Sequence, residues 1–202
     1  MLKLIILEGP RGSGKSTVAR ELRNSIEGST LINPTGFKDD GGEGLRKIIS
    51  YYEAMEAYLK ALSASSETFC VIFDRTFFSE VVYSRIYKDY DFNPAYEWFL
   101  NSMLNYTNEL DLFYMKLSNE EELRERLNRD KVQLFDKVEE SVAQSTKQQQ
   151  YYDQLFDGIQ SRFIGHPRSF HVIETSGLST EDVKKTIMEV VTCQTAEEKS
   201  SM

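Results

Sequence analysis

The chain lacks most of the features that mark secreted and membrane proteins. Only Cys70 and Cys193 are cysteines among its 202 residues, and they offer neither a disulfide framework nor a pair of metal ligands. The apolar runs fall well short of the length of a membrane span. The first residues contain a short apolar run that is too short for the apolar region of a signal peptide. We therefore expect a cytoplasmic protein without a membrane partner.

Basic residues are also in short supply. The chain has 24 lysines and arginines against 32 aspartates and glutamates, a net charge of −8. A protein that follows a nucleic-acid backbone usually has a basic stripe, because neutralising phosphates supplies most of its affinity. Here the basic residues are dispersed and outnumbered. We therefore do not expect a nucleic-acid partner, whereas a small anionic ligand held by a few local cations fits this composition.

Short apolar runs rich in β-branched or aromatic residues indicate buried strands of a parallel sheet. They are residues 3–7, 68–73, 111–117 and 169–174, with 29–32 as a weaker fifth candidate. Longer patterned stretches between them indicate helices at 15–27, 43–64, 76–88, 94–108, 118–129, 138–163 and 179–191. Alternating strands and helices predict an α/β fold of three layers, with a five-stranded parallel sheet between helices on both faces.

Three of the predicted helices begin with recognisable signals. Ser118 is followed three residues later by Glu121, which is a capping-box pattern. Ser179 is followed by Asp182 at the same spacing. Pro94 stands where a first helical turn tolerates proline. These signals predict helix starts near 94, 118 and 179.

Residues 1–194 are expected to form a single domain, because no internal repeat or linker interrupts them. The most polar and least patterned interior stretch is roughly 129–150, which we interpret as a mobile lid. Residues 195–202 are polar and are expected to form a frayed tail.

Residues 9–16, GPRGSGKS, match the pattern G-x-x-x-x-G-K-[ST] between a predicted strand and a predicted helix. Glycines let consecutive backbone N–H groups turn towards an anion, and the following helix directs its positive end at the same point. Lys15 can reach the β- and γ-phosphates of a nucleoside triphosphate, and the Ser16 hydroxyl can coordinate Mg²⁺. We therefore predict ATP and Mg²⁺ as cofactors. The predicted cofactor-binding residues are Gly9, Arg11, Gly12, Ser13, Gly14, Lys15, Ser16 and Thr17.

A second group of polar residues follows the third predicted strand. Asp74 stands at the carboxyl end of this strand, where α/β sheets bind ligands. It could hold Mg²⁺ through water or act as a base, and Arg75 could bind a phosphate with its planar guanidinium. In a purely structural interpretation, this pair only caps the following helix.

The spacing after this strand resembles a known family. Asp74 and Arg75 are followed by Ser79 and Tyr83, which resembles the D-R-Y-x-x-S-x-x-A-Y pattern of thymidylate kinases. It is also similar to the E-R-S-x-x-S pattern of deoxynucleoside kinases, a sister group that shares the fold. Four other stretches follow in the family's order: NPTGFKDDGGEGLRKI (33–48), KLSNEEELRERLNRDK (116–131), QQYYDQLF (149–156) and VIETSG (172–177).

The resemblance implies a P-loop kinase fold with a helical lid, and phosphoryl transfer from ATP to a small nucleotide or nucleoside. Lys15 and Mg²⁺ would hold the donor phosphates, Arg75 would bind the acceptor phosphate, and an arginine would close over them from the lid. The implied catalytic residues are Lys15, Asp74, Arg75, Arg126 and Arg129, with Ser16 and Asp74 at the metal. The implied substrate-binding residues are Arg46, Tyr52, Arg75, Phe78, Ser79 and Tyr83. Family members are commonly dimers, which leaves a homodimer open.

The sequence departs from the family in three places. Arg11 stands where thymidylate kinases usually have an acidic residue facing the acceptor's sugar. Residues 33–35, NPT, stand where deoxynucleoside kinases usually have a glutamate base, which favours a nucleotide acceptor over a nucleoside. The arginines of the lid segment are spaced one residue more tightly than in the family, so Arg124, Arg126 and Arg129 all remain candidates for the phosphate contact.

These observations favour a deoxynucleoside monophosphate kinase that resembles thymidylate kinase. Three alternatives stay open at this point. The first is a deoxynucleoside kinase that phosphorylates a 5′-hydroxyl. The second is a kinase acting on a modified nucleotide within DNA, where Arg11 could meet a backbone phosphate. The third is a P-loop ATP-binding switch without catalysis, although such a switch would not need a second phosphate site at Arg75.

Overall fold

The computed structural model describes residues 1–34, 36–38, 41–129, 137–163 and 168–200, with the backbone alone for 192–200. The strands are β1 (Leu2–Glu8), β2 (Ser29–Ile32), β3 (Phe69–Asp74), β4 (Glu109–Lys116) and β5 (Arg168–Glu174). The helices are α1 (Lys15–Ser25), α2 (Gly42–Ser63), α3 (Phe77–Tyr87), α4 (Asn93–Tyr106), α5 (Glu120–Arg129), α6 (Val138–Ile159) and α7 (Thr180–Ser200). A short 3-10 helix, Gln160–Phe163, follows α6.

The described strands form one parallel sheet in the order β2-β3-β1-β4-β5. Strand β1 lies between β3 and β4, so the chain leaves β1 towards one side of the sheet and later crosses to the other. Ligands of α/β sheets bind at such a switch point, beyond the carboxyl ends of the strands. The glycine-rich loop follows β1 and the Asp-Arg pair follows β3, so the topology brings both to this edge.

Two apolar layers cover the sheet, one on each face. Leu4 and Ile6 of β1 pack in a core cluster with residues of α2, α3, α4 and α6. Ile5 and Leu7 pack in a second cluster with residues of α1 and α7. Because both faces of β1 are buried, its sequence is a continuous apolar run rather than an alternating one. The predicted α/β fold, a five-stranded parallel sheet with helices on both faces, is confirmed.

The two capping predictions have different outcomes. At α7, the Ser179 hydroxyl accepts from the Asp182 N–H at 3.2 Å and the Asp182 carboxylate accepts from the Ser179 N–H at 3.0 Å, which confirms the predicted box. At α5, Asn119 caps the helix, because its side-chain oxygen accepts from the Glu122 N–H at 3.1 Å. The capping role predicted for Ser118 is therefore wrong. Its hydroxyl donates instead to Glu174, a long-range partner that local sequence does not reveal.

Only part of the predicted lid can be compared with the structure. Residues 130–136 lie outside the described residues, whereas 138–150 form the first half of the helix α6. The predicted tail overlaps α7, which continues to Ser200, and residues 201–202 again lie outside the described part. Within the described ranges, every helix is too short or too polar to span a membrane.

Candidate active site

The loop between β1 and α1 uses glycine where a side chain would not fit. Gly9, Gly12 and Gly14 have φ angles of 141°, 84° and 88°, in the region that favours glycine. A Cβ on Gly9 would also overlap the carbonyl oxygen of Met115 in β4. The first residue of α1 is Lys15. The loop therefore packs closely on the sheet and leads directly into a helix N-terminus, as an anion-binding loop requires.

A cavity of 720 Å³ opens beside this loop. It is lined by ten of the residues that the sequence predicted: Arg11, Gly12, Ser13, Gly14, Lys15, Ser16, Thr17, Arg75, Arg126 and Arg129. Other lining residues were not named as site residues by the prediction: Glu122, Thr175, Leu178, Ser179, Thr180 and Val183. Among these, Glu122 and Thr175 fall within stretches that the family resemblance had singled out.

Lys15 is folded back onto its own loop. Its ammonium donates to the Pro10 carbonyl oxygen at 2.6 Å and lies 3.3 Å from the Ser13 hydroxyl. Burial lowers the pKa of Lys15 well below 10.5, and the nearby positive charge of Arg75 lowers it further. An anion in the cavity would oppose both effects, so the lysine is arranged to favour a negatively charged ligand.

The arginines of α5 have distinct positions. Arg126 donates to the Gly12 carbonyl oxygen at 3.3 Å and to the Thr175 carbonyl oxygen at 2.8 Å, so it joins the glycine loop to the segment after β5. Arg129 lines the cavity at the end of α5. Arg124 instead pairs with Glu120 and Glu139 on the exposed surface. The structure thus brings Arg126 and Arg129 to the cavity, and Arg124 to an ion pair with α6.

Asp74 is buried at the end of β3. One oxygen of its carboxylate accepts from the Asn33 side-chain amide at 2.8 Å. The other oxygen, Oδ1, is buried and has no hydrogen-bond partner among the described residues. An unpartnered buried carboxylate oxygen is costly and is commonly completed by a ligand or water.

Arg75 adopts a backbone conformation that is unusual for a residue with a side chain, with φ at 78°. Its guanidinium donates to the Gly9 carbonyl oxygen at 3.2 Å, to the Ser79 hydroxyl at 3.2 Å and to the Tyr152 hydroxyl at 3.1 Å. The ring of Tyr83 lies 5.2 Å from the guanidinium carbon, a cation–π distance. The predicted residues Arg75, Ser79 and Tyr83 therefore form one cluster.

The most buried acidic group of this region was not predicted. The Glu8 side chain is 0% exposed, and its carboxylate accepts from the backbone N–H of Thr76 at 2.5 Å and from the Ser79 hydroxyl at 2.6 Å. Burial raises the pKa of Glu8 above 4.5, although the Ser79 hydrogen bond and the charge of Arg75 act in the opposite direction. Since its partners are distant in sequence, no local pattern could have identified Glu8.

Gln148 of α6 is a second residue that sequence reasoning missed. Its side-chain oxygen accepts from the Arg11 backbone N–H at 3.0 Å and from the Tyr83 hydroxyl at 3.3 Å. Its amide nitrogen donates to the Tyr87 hydroxyl at 2.9 Å. This buried amide therefore connects the glycine loop with α3 from the part of α6 that overlaps the predicted lid.

The remaining predicted substrate residues lie apart from this cluster. Phe78 is 0% exposed and packs against Phe156 and other aromatic rings of the core. Tyr52 is also buried in that core and contacts Phe77. Arg46 lines a separate, open surface groove. The core packing of Phe78 and Tyr52 gives both rings a structural role, as is usual for aromatic residues at helical spacing.

A magnesium ion is implied by the fold, and the residues present fit one. The described part of the chain holds no group of three or more His, Cys, Asp or Glu side chains suited to a metal. Mg²⁺ bound with nucleotide phosphates, however, usually takes only one or two protein ligands and keeps several waters. The hydroxyl of Ser16 on the cavity wall and the unpartnered Oδ1 of Asp74 at the end of β3 are oxygen groups of that kind.

Sequence comparison gives no relatives for this chain, since no family model and no curated protein matches it. Solved structures do match. The YorR protein of Bacillus subtilis, in complex with phosphorylated GDP, is 19% identical, with a TM-score of 0.66 over 96% of this chain and 98% of its own. Deoxyadenosine kinase from M. mycoides, with the products dCMP and dCDP, is 16% identical, with a TM-score of 0.58 over 94% of this chain and 99% of its own.

A third structure, the tunicamycin resistance protein of Deinococcus radiodurans, is 16% identical and has a TM-score of 0.50 over 95% of this chain and 96% of its own. At these identities the likeness concerns the fold. It extends over nearly the whole of each chain, so the protein has the P-loop kinase fold, with the glycine loop at the switch point of the sheet.

Proposed function

We propose that the protein transfers a phosphoryl group from ATP to a deoxynucleoside monophosphate, forming ADP and a deoxynucleoside diphosphate. The observation that carries this proposal is the position of Arg75. It lines the same cavity as Lys15 and the glycine loop. Two sets of phosphate-binding groups therefore face one space, as transfer between two phosphates requires.

The charges around Arg75 favour a phosphate acceptor over a hydroxyl acceptor. A nucleoside hydroxyl needs a base, whereas a phosphate monoester is already a nucleophile near neutral pH. The carboxylate of Glu8 is occupied by hydrogen bonds, and the sequence NPT (33–35) stands where the resemblance to deoxynucleoside kinases would place a glutamate. Arg75 offers a cation for an incoming phosphate.

The donor side follows from the loop. The backbone N–H groups of residues 12–17 and the ammonium of Lys15 would bind the phosphates of ATP. Ser16 and Asp74 would hold Mg²⁺, which neutralises charge on the phosphates when it is bound. Arg126 and Arg129 would bind the donor from α5. These residues act by position and charge rather than by covalent chemistry.

A deoxynucleoside kinase activity is the second candidate. One structure with the same fold is a deoxyadenosine kinase, which supports a deoxynucleoside as the alternative acceptor. The two candidates differ in one respect that can be measured, namely whether the acceptor must already carry a phosphate.

The test is a panel of acceptors incubated with ATP and Mg²⁺. It should contain the common deoxynucleosides, their monophosphates, modified pyrimidine monophosphates and a short DNA duplex, with ADP formation as the readout. We expect ADP release with at least one monophosphate and a background rate with all nucleosides and with DNA. A nucleoside that supports turnover would establish the alternative. Background rates throughout would contradict kinase activity and favour an ATP-binding switch.

Substitution of the two central cations provides the first mutational prediction. Lys15→Ala and Arg75→Ala should each lower phosphoryl transfer by about 100-fold or more, because each removes a charge that stabilises the transferred group. Circular dichroism should show that both variants keep the secondary structure of the wild type. Turnover near the wild-type rate in the Arg75 variant would contradict its assignment to the acceptor phosphate.

The proposal also includes a cytoplasmic location and a homodimer. Sedimentation velocity would test whether the protein is a homodimer.

A further inference from the structure

The carboxylate of Glu8 accepts four hydrogen bonds, two on each oxygen. Its Oε1 accepts from both the backbone N–H and the hydroxyl of Thr76, at 2.5 and 2.9 Å. Its Oε2 accepts from the hydroxyls of Ser79 and Tyr152, at 2.6 and 3.3 Å. Both oxygens are thus occupied by donors, so the group is poorly suited to take a proton from a substrate.

Three of these four donor groups belong to Thr76 and Ser79, in the segment that follows Arg75, whereas Tyr152 lies in α6. Thr76 follows Arg75 directly and is the N-cap of α3, where its hydroxyl faces the Phe78 N–H. Arg75 itself has a φ of 78°, a strained conformation for a residue with a side chain, which persists only where neighbouring contacts hold it. Glu8 accepts hydrogen bonds from Thr76, the residue that follows this strained position.

A second link joins the same two segments. The Arg75 guanidinium donates to the carbonyl oxygen of Gly9, the residue after Glu8. The Arg75 N–H donates to the carbonyl oxygen of Leu7 at 3.0 Å, the residue before Glu8. The consecutive residues Leu7, Glu8 and Gly9, which lead into the glycine loop, therefore accept hydrogen bonds from the consecutive residues Arg75 and Thr76.

We propose that Glu8 is a positioning residue, which fixes Arg75 at a set distance from the donor loop and so aligns the two phosphates. This inference rests on the proposed kinase function. The burial that raises the pKa of Glu8 also removes water from its hydrogen bonds, which strengthens them. A displacement of about 1 Å at a reacting centre can cost about 100-fold in rate, so a residue that touches neither substrate can control turnover.

The test compares Glu8→Leu, which removes both acceptor oxygens, with Glu8→Gln, which keeps one. We expect Glu8→Leu to lower kcat by about 100-fold while the Kd for ATP, measured by calorimetry, changes less than about threefold. Glu8→Gln should recover most of the rate, because its carbonyl oxygen can still accept from Thr76. Wild-type turnover in Glu8→Leu, or a loss of ATP binding equal to the loss of rate, would overturn the proposal.

A double-mutant cycle separates positioning from general stability. If Glu8 acts through Arg75, then Glu8→Gln and Glu8→Leu should have no further effect on kcat in an Arg75→Ala background. Independent, additive losses would overturn the proposal. If Glu8→Leu does not fold, Thr76→Val provides the second measurement: it removes one donor to Glu8, and its effect on kcat should also vanish in the Arg75→Ala background.

A spectroscopic readout keeps this inference distinct from the proposed function. The guanidinium ¹⁵N–¹H signal of Arg75 should be sharp and slowly exchanging in the wild-type protein, and averaged in Glu8→Leu. Arg162, which pairs with Glu97 on the surface, serves as an internal reference that should not change. If no acceptor in the panel is phosphorylated but this signal responds, the function has failed and the positioning contact stands. An unchanged Arg75 signal overturns the contact itself.

Discussion

Arg11 is the residue whose chemistry departs most from the resemblance. Its backbone N–H is held by Gln148, and its side chain lines both the large cavity and a 90 Å³ pocket behind the loop. A carboxylate at this position would repel a phosphate and could accept a hydrogen bond from a sugar hydroxyl. A guanidinium attracts a phosphate and can only donate hydrogen bonds. We therefore propose that Arg11 influences which acceptor is used.

Charge reversal tests this influence. Arg11→Asp should change the order of preference among monophosphate acceptors, by about tenfold in relative kcat/KM, because it replaces a phosphate-binding group with an acidic one. The matched control is Arg23→Asp, the same change on an exposed position of α1. It should leave the preference unaltered. An unchanged acceptor profile in Arg11→Asp would show that the arginine has no part in acceptor choice.

The role of a residue could be predicted only where a local sequence pattern specifies that role. The order of Gly12, Gly14 and Lys15 specifies a phosphate loop, because the pattern itself dictates the backbone shape that the chemistry needs. Glu8 and Gln148 carry no such pattern. Their partners lie 61 to 144 residues away in the chain, so only the fold brings them together.

Among the helices, α5 has two faces with separate tasks. The side that carries Arg126 contacts the glycine loop and Thr175, and Glu122 on the same side accepts from the Gly177 N–H at 2.9 Å. The side that carries Arg124 faces α6 through Glu139. Helix α5 therefore contacts the glycine loop and the segment after β5 with one row of side chains, and it contacts α6 with another.

A matched pair of substitutions distinguishes these two faces. Arg126→Ala should raise the KM for ATP by about tenfold or more, since it removes a cation and charged hydrogen bonds from the cavity wall. Arg124→Ala should change it by less than about twofold, because exposed ion pairs contribute little. Steady-state kinetics at a saturating acceptor concentration provide the measurement. Equal effects of the two substitutions would contradict the division of α5 into two faces.

The elements themselves followed closely from hydrophobic patterning. The predicted strand 29–32 is observed at those residues, and the predicted helix 43–64 is observed at Gly42–Ser63. The start of α5 was mispredicted because Ser118 has a better partner in Glu174 than in its own helix. Local capping rules fail where a distant carboxylate competes for the hydroxyl.

At the scale of the whole molecule, strand order converts separate motifs into one site. The alternation of elements predicted a parallel sheet but not the order β2-β3-β1-β4-β5, because order depends on which strands meet in space. That order places the ends of β1 and β3 side by side. The crossing to β4 and β5 then brings Thr175 to the same cavity from the opposite side.

Another buried carboxyl group is that of Glu80 in α3. The Tyr90 hydroxyl donates to it at 2.6 Å, and its other oxygen faces Gly36. Burial raises the pKa of Glu80 above 4.5, while the hydrogen bond from Tyr90 and the charge of Lys88 oppose that shift. The folded protein therefore binds this proton more tightly than the unfolded chain does.

This difference fixes the sign of a pH-dependent effect on global stability. The contribution of Glu80 is fully present below pH 4.5 and is lost as the pH rises through its raised pKa. Glu80→Gln, which stays neutral and can still accept from Tyr90, should therefore gain stability relative to wild type as the pH rises from 4.5 to 7. Urea unfolding at several pH values measures the difference in free energy of unfolding.

Asp182 supplies a control of opposite sign. The Ser179 hydroxyl lowers the pKa of Asp182 below 3.8, so its contribution is present above pH 3.8 and is lost as the pH falls through the lowered pKa. Asp182→Asn should be destabilising near neutral pH and approach wild type in acid. If Glu80→Gln showed no pH dependence, or followed the trend of Asp182→Asn, then burial would not disfavour the charged form of Glu80, and the raised pKa assigned to this carboxyl group would be wrong.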